Sequence, residues 1–332
     1  MGRENEPHAA SAPKDYGVPT ATLLDVLQND CAAVPEALAA LDAAGLLERL
    51  VAAEQAGRLD DASYEALLQE FLAPLWHFGI EVRGPNARPP ALTPPTCSCE
   101  DGTVTLTFRQ FVDDSALRLL QERAADIGAA TLVRVDVTEA SEGALGNAYG
   151  LLALLFARPT VLSDLMGPRE TVSRYTARNG ACRLQQIARL AEFTASDEDA
   201  KCQLALEASH VRECTEVAVR RHAEATGTEG ASSASADRSV WVRENELYEP
   251  LSCPTAPEGV QVTLMAGPRT AAAAEQVVAI ARKAVAAGVS NVRIEGDPSG
   301  RARYSNLLEV PLCDGFSLVY PMTKEVAGEA AL

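Results

Sequence analysis

The chain has few of the features that mark secreted or membrane proteins. Its longest apolar run, Leu151 to Ala157, is far shorter than the roughly 20 residues needed to cross a bilayer. The first 18 residues contain no apolar stretch of the kind found in secretory signals, and no Asn-x-Ser/Thr sequon occurs in the sequence. These absences predict a soluble, intracellular, cytoplasmic protein without a membrane span, whose eight cysteines stay reduced.

Positive charge is also scarce, and the formal net charge is −17. Basic residues number 6 against 15 acidic ones in residues 1–100, 15 against 20 in 101–238, and 8 against 11 in 239–332. A nucleic-acid-binding surface needs basic residues to neutralise phosphates, and anionic membranes attract basic segments. Nucleic acid and membrane surfaces are therefore disfavoured as partners, and a protein of complementary charge is favoured.

The common catalytic and cofactor motifs are missing as well. There is no Gly-x-Ser-x-Gly, no Gly-x-x-x-x-Gly-Lys-Ser/Thr and no Gly-x-Gly-x-x-Gly. Cys97-x-Cys99 is spaced too closely for a zinc knuckle and has no matching pair, which favours ordinary thiols. His210 and Cys214 share a helix face and could form half a metal site, but Cys214 also falls on an apolar stripe. The sequence therefore predicts no metal and no cofactor.

The first hundred residues carry the clearest helical pattern in the chain. A continuous apolar stripe follows Asp60 and Asp61, which are suitable N-cap and first-turn residues; its members are Tyr64, Leu67, Leu68, Phe71, Leu72 and Leu75. Shorter helices are predicted around residues 23–27, 34–41 and 46–51, and Pro74 should shorten the fourth helix. Because its Ala-rich neighbours are slim, the stripe is a candidate either for internal core or for docking, through Tyr64, Leu68, Phe71 and Leu75.

The period then changes from helix to strand and defines a mixed α+β architecture. Two strand-helix-strand units are predicted, one opened by Val104 to Leu106 and one by Val262 to Leu264. Their similar sequences and lengths fit a duplication, but any two units of this kind would look alike at this level. Residues 143–225 between them are predicted to be helical, with Gly146 and Gly150 allowing close helix contact.

Two segments of biased composition suggest the domain boundaries. Residues 84–101 are rich in proline and residues 226–238 are rich in Gly, Ser and Ala, which is typical of linkers. The resulting plan comprises a tail at 1–18, a helical bundle at 19–83, the linker at 84–101, a central domain of a βαβ unit plus helices at 102–225, the linker at 226–238, a small C-terminal α/β sandwich at 239–322 and a tail at 323–332.

Three groups of polar residues are candidates for binding. Gly267, Arg269 and Thr270 follow a strand and are predicted to open a helix with Pro268 at its first position, where backbone N–H groups favour an anion. The alternative is plain helix initiation with Pro at the first position, and Gly167-Pro168, predicted to open another helix in the same way, favours that alternative. The second group is an acidic cluster near strand ends, made of Asp113, Asp114 and Asp136. The third is a basic stripe on a predicted helix, which could bind an acidic partner through Arg174, Arg178 and Arg189.

Two functions remain open at this point. The favoured hypothesis is a non-catalytic interaction or structural subunit of an intracellular multiprotein assembly, working in a hetero-complex. The alternative is a binding protein or enzyme for a small anionic or phosphate-bearing ligand, which would use the carboxyl ends of the βαβ strands. A flat or grooved apolar patch on the helices favours the first, and a concave pocket walled by Arg269 or Asp136 favours the second.

Overall fold

The computed structural model describes residues 15–33, 38, 41–87, 92–143, 145–155, 160–167, 169–193, 198–226, 239–246, 252–253, 259–299, 304–313 and 315–326. The fold is mixed α+β, as the sequence predicted. The helices are α1 (Gly17–Asn29), α2 (Ala43–Gln55), α3 (Asp61–Leu72), α4 (Ser115–Glu122), α5 (Ala124–Ala129), α6 (Leu145–Leu155), α7 (Leu162–Met166), α8 (Ala177–Phe193), α9 (Glu198–Thr226) and α10 (Ala272–Ala286). None of these helices has the length and apolarity needed to cross a membrane, within the ranges given above.

The strands fall into two main sheets and one small pair. They are β1 (Glu81–Arg83), β2 (Thr96–Glu100), β3 (Thr103–Thr107), β4 (Leu132–Asp136), β5 (Thr160–Val161), β6 (Arg169–Tyr175), β7 (Val240–Glu246), β8 (Ser252–Cys253), β9 (Gln261–Met265), β10 (Val292–Glu295), β11 (Tyr304–Cys313) and β12 (Phe316–Glu325). The antiparallel sheet has the order β1-β12-β6-β7, and β11 pairs along the other side of β12. The parallel sheet has the order β10-β9-β4-β3-β2, with β2 antiparallel at one edge.

Each main sheet has its own core. The parallel sheet is packed by α4, α6 and α10 on one face, and valines and leucines of its strands alternate inward. Gly150 of α6 sits where an added Cβ would lie 3.0 Å from Leu120, so the glycine permits the close contact of α4 with α6 that the sequence suggested. The antiparallel sheet is packed with α1, α2, α3, α8 and α9 around a second core.

The two predicted βαβ units lie side by side in the parallel sheet. Strand β4, which ends the first unit, pairs in parallel with β9, which begins the second. The register places Val104, Val133, Val262 and Val292 in one row across four strands. Residues that match between the two units in sequence thus occupy matching positions in the sheet. A common origin of the two units remains a prediction.

The sheets join segments that the sequence analysis placed in different domains. The antiparallel sheet combines strands from residues 81–83, 169–175, 240–246 and 304–325, and the parallel sheet combines strands from 96–136 and 261–295. Three details differ from the expected boundaries: residues 96–100 of the proline-rich linker form β2, residues 81–83 of the helical bundle form β1, and β12 extends to Glu325 in the expected tail. The predicted boundaries therefore do not separate the sheets. Most of the 226–238 linker and of the 34–41 helix lies outside the described residues.

Two helix predictions need correction. Residues 169–175, expected to be helical, form β6 because Thr171, Val172 and Tyr175 are β-branched or aromatic and find ladder partners in β7 and β12. Gly167 therefore precedes a strand rather than a helix. The helix after β9 starts at Ala272, four residues beyond the predicted position, since Gly267 to Thr270 form a hydrogen-bonded turn first.

The helix with the continuous apolar stripe forms largely as predicted. Asp60 and Ser63 build a reciprocal capping box, in which each side chain accepts from the other residue's backbone N–H at 2.8 Å. The α-helix ends at Leu72, and Ala73–Phe78, which contains Pro74, continues as a 3₁₀ helix.

Candidate functional site

The candidate site is an apolar groove between α1, α3 and the antiparallel sheet. Its volume is about 590 Å³, within the range of about 300–1,000 Å³ typical of ligand clefts. The residues that line it, called the groove residues below, are Leu24, Leu27, Gln28, Ala33, Leu38, Leu41, Ala43, Phe71, Arg174 and Trp241. Eight of these are apolar, so the groove is suited to apolar side chains rather than to a charged metabolite.

Trp241 forms the outer wall of the groove. It lies on β7 and keeps 41% of its surface exposed, which is unusual for an indole. Two cations hold the ring, since the Arg174 guanidinium carbon lies 5.3 Å and the Lys324 ammonium nitrogen 5.2 Å from its centroid. The indole is thus fixed in an exposed position and does not fold back into the core.

Arg174 also closes the end of α1, which forms the facing wall. Its Nη1 group donates to the backbone carbonyls of Gln28 at 3.2 Å and Cys31 at 2.9 Å. A guanidinium at a helix C-terminus satisfies open carbonyl groups and complements the helix dipole. One side chain therefore ties the helical wall of the groove to the strand that carries Trp241.

A buried polar network stabilises the same end of α1 from behind. The carboxylate of Asp30, which is 4% exposed, accepts from the Thr176 hydroxyl at 2.5 Å and from the Arg178 guanidinium. Arg178 donates a second bond to Asp25 at 2.9 Å. Burial raises the pKa of Asp30, although Thr176 and Arg178 act in the opposite direction. The network borders a cavity of about 250 Å³ at the junction of α1 with α8.

Asn179 extends this network into the antiparallel sheet. Its amide donates to the carbonyl groups of Asp30 at 2.8 Å and Arg174 at 2.7 Å. Its side-chain oxygen accepts from the hydroxyl of Tyr320 on β12 at 2.8 Å. Because every polar group of the amide has a partner, the network fixes the position of α1 relative to the sheet.

The structure brings together two of the residues predicted to bind a partner, Phe71 and Arg174. Tyr64, Leu68 and Leu75 instead lie in the internal core, where each is at most 1% exposed. Of the two alternatives for the stripe, internal core or docking surface, these three residues form internal core. The helical basic stripe does not form, because Arg174 lies in β6 whereas Arg178 and Arg189 lie in α8. Arg178 is turned inward, onto Asp30 and Asp25.

The predicted anion site is occupied by the chain's own groups. The Thr270 hydroxyl donates to the Val137 carbonyl at 2.7 Å and accepts from the Gly267 N–H at 2.9 Å. Arg269 is paired with Glu139 at 3.2 Å, with both side chains largely exposed. A carboxylate, that of buried Glu275, already lies in the first turn of α10. These contacts use the groups that a bound phosphate would need.

The predicted acidic cluster likewise makes local structural contacts. Asp113 accepts from the Ser115 N–H at 3.0 Å, and Asp114 pairs with Arg118 one helical turn later. Asp136 accepts from both the N–H and the hydroxyl of Thr138, at 2.9 and 2.7 Å. Hydrogen bonds from Ser115 hold the pKa of Asp113 below its usual range.

Cysteine and histidine residues form no multidentate site in the described residues. No group of three or more His, Cys, Asp or Glu side chains comes close enough there to hold a metal ion. Cys214 lies 3.6 Å from the His210 ring, whose Nε2 also contacts Glu244 at 2.8 Å. Among the cysteines whose side chains the structure describes, the free thiols are Cys31, Cys97, Cys99, Cys182, Cys202, Cys214 and Cys313.

Trp241 is the site residue that the sequence analysis missed. The strand Val240–Glu246 lies directly after the 226–238 segment, and no strand was predicted there. A signal was present, since Val240, Trp241 and Val242 form a β-branched and aromatic run. Trp241 comes close to α1 only because β7 pairs with β6, and the local sequence does not encode that pairing.

Comparison with known proteins yields distant structural similarity alone. No family model and no curated protein matches the chain. Among solved structures it is similar to a lipoprotein from Streptococcus agalactiae, with 10% identity and a TM-score of 0.38 over 95% of this chain and 87% of that chain. It is also similar to the photosystem II D1 C-terminal processing protease (10% identity, TM-score 0.34, 71% of this chain and 44% of that one) and to mature CPAF (12%, 0.37, 71% and 46%).

Proposed function

We propose that this chain is a non-catalytic, protein-binding subunit of an intracellular assembly, and that its groove receives an amphipathic helix of the partner protein. The observation that carries the proposal is the exposed indole of Trp241 at the wall of an apolar groove. Grooves of this kind bind helices through apolar side chains spaced three and four residues apart. Trp and Arg are also the residues that most often dominate the energetics of protein interfaces.

The chemistry of the groove indicates what the partner helix should present. Leu24, Leu27 and Phe71 favour apolar side chains on the inner face of the helix. Lys324 places a positive charge beside Trp241, so an acidic residue near that end of the helix would find a complementary charge. The predicted partner segment is therefore apolar on one face and carries a carboxylate where it passes Trp241.

The titratable residues that were candidates for chemistry support a non-catalytic role. Each of these residues makes a local structural contact in a loop after a strand. Asp113 accepts from the Ser115 N–H, Asp136 accepts from the Thr138 N–H, and Arg269 forms an ion pair with Glu139. A group engaged in this way is a poor general acid or base, since it would have to leave a structural partner in order to reach a substrate.

The test is affinity purification from the native source with quantitative mass spectrometry, using the wild type, Trp241→Glu and the control Leu206→Glu. Leu206 is an exposed apolar side chain on α9, 67% accessible, and does not line the groove. We expect a protein that wild type and Leu206→Glu recover equally and that Trp241→Glu recovers at least tenfold less. Circular dichroism confirms that both variants fold.

Direct binding then distinguishes docking from indirect association. The chain contains two tryptophans, so Trp76→Phe leaves Trp241 as its single indole reporter. A synthetic helix from the recovered protein should shift the emission of Trp241 and saturate at one equivalent. If all three baits recover the same proteins, or if the helix leaves the emission unchanged, the groove is not the docking site.

A further inference from the structure

Cys97 and Cys99 lie on the same face of an edge strand. Both belong to β2, where alternate residues point to the same side, and they pair with Leu106 and Val104 of β3. Those partners are buried, so the two thiols lie on the helix-covered side of the parallel sheet. Cys97 packs partly against the core, and Cys99 is exposed. A solute can therefore reach the pair from the edge of the sheet.

The separation of the two sulfur atoms is informative. They lie 4.0 Å apart, although Cα atoms two residues apart in a strand are separated by about 6.7 Å. That Cα spacing is at the upper limit for a disulfide, whose sulfur atoms must come within about 2.05 Å, so bonding them would require the strand to deform. A zinc–sulfur bond is about 2.3 Å long, so an ion with bonds of similar length can bridge sulfurs up to about 4.6 Å apart without moving the backbone.

We propose that Cys97 and Cys99 form a two-sulfur clip for one soft monovalent metal ion, of which Cu(I) is the type. Thiolates select soft ions over Mg²⁺ or Ca²⁺, which prefer oxygen ligands. A structural Zn²⁺ needs four ligands, and the described residues bring no third His, Cys, Asp or Glu to the pair. Cu(I) is satisfied by two thiolates, so the donor set matches it. This inference does not depend on the proposed groove function.

The charge balance of the site predicts how binding depends on pH. Two thiols release two protons and bind one Cu⁺, which leaves a complex with a charge of −1. Since the metal must displace protons from the thiols, its affinity should increase as the pH rises.

The experiment is an anaerobic competition in which the reduced full chain withdraws Cu(I) from its coloured bicinchoninate complex. Cys97→Ser and Cys99→Ser test the clip, and Cys202→Ser, at an exposed cysteine of α9, is the matched control. We expect the wild type and Cys202→Ser to withdraw one equivalent with an affinity at least tenfold higher than either clip variant. Circular dichroism verifies that every variant is folded.

Three results would overturn the assignment. One is equal withdrawal of Cu(I) by the wild type and by both clip variants, since the remaining cysteines would then account for binding. Another is a reduced wild type that withdraws no Cu(I) at all. X-ray absorption of the loaded protein should show two sulfur neighbours at the copper, and oxygen neighbours alone would also contradict the clip.

Discussion

Arg174 and Trp241 are direct cross-strand partners, and the guanidinium carbon of Arg174 lies 5.3 Å from the centroid of the indole. The same guanidinium binds the carbonyl groups of Gln28 and Cys31 at the end of α1. The exposure of Trp241 and the position of the helix facing it are therefore coupled through one side chain. A change at Arg174 should affect stability and groove geometry together.

Arg174→Ala should lower the free energy of unfolding by about 2 kcal/mol, because it removes charge-assisted hydrogen bonds and a cation–π contact. Urea denaturation measures this loss. Arg243→Ala on the neighbouring strand is the control, since its ion pair with Glu170 is exposed and should contribute less than about 1 kcal/mol. Equal losses in the two variants would mean that the bonds to α1 contribute nothing measurable.

The groove was only partly accessible to sequence reasoning. The period of α3 identified Phe71 as apolar and helical, but periodicity does not indicate whether such a face is covered by the same chain. Here Tyr64, Leu68 and Leu75 are covered and Phe71 borders the groove. Which residues of α3 are buried and which border the groove is decided by α1 and by strands more than a hundred residues away in the sequence.

The pH dependence of stability should carry the signature of Asp30. Burial raises its pKa in the folded chain above the ordinary value of 3.8, so between these two values the folded state binds more protons than the unfolded state. Its contribution to stability is therefore complete below about pH 3.8 and is lost as the pH rises through the folded-state pKa. The difference in unfolding free energy between wild type and Asp30→Asn should accordingly decrease from pH 4 towards neutrality.

The matched control for this series is Glu48→Gln, an exposed carboxyl-to-amide change in α2. Because Glu48 is exposed, this variant reports what a carboxyl-to-amide change contributes outside a buried network. If the Asp30→Asn difference instead grew with pH, the ion pair with Arg178 would outweigh the effect of burial.

The sheet order shows most clearly what local patterns do not predict. Half of the described strands are visible as β-branched runs in the sequence, including Val262 to Leu264 and Val133 to Val135. Pairing of β12 with β1 and β6 joins residues 317–325 to residues 81–83 and 171–173. Such long-range pairing depends on the fit between whole sheet and helix surfaces and not on residues near each strand. The domain boundaries predicted from composition therefore cut across both sheets.

Gly143 should be among the positions least tolerant of a methyl group. Its φ is +114°, and an added Cβ would lie 2.2 Å from the carbonyl carbon and oxygen of Phe111. Gly143→Ala is expected to lower stability by roughly 3 kcal/mol or more, because the clash is with backbone that cannot rotate away. Gly57→Ala is the control, since its φ is +61° with open space around it and the cost should be about 1 kcal/mol. If urea denaturation gave similar losses of unfolding free energy for the two variants, the backbone at Phe111 would be able to move away from the added methyl group.

Ala272 should respond to glycine in the opposite direction from other helical alanines. It is the first residue of α10 and has a φ of +50°, where a Cβ costs about 1–2 kcal/mol. Glycine removes that cost but gains freedom in the unfolded chain worth about 0.4–1 kcal/mol, so Ala272→Gly should stabilise by a net of about 0.5–1 kcal/mol. Ala279→Gly, at an exposed interior position of the same helix, should destabilise by about 1 kcal/mol. Urea midpoints of the two variants should therefore move to opposite sides of the wild type. If both moved down, the left-handed conformation at Ala272 would not be a source of strain, and the entry into α10 would be set by Thr270 and its bond to Val137 alone.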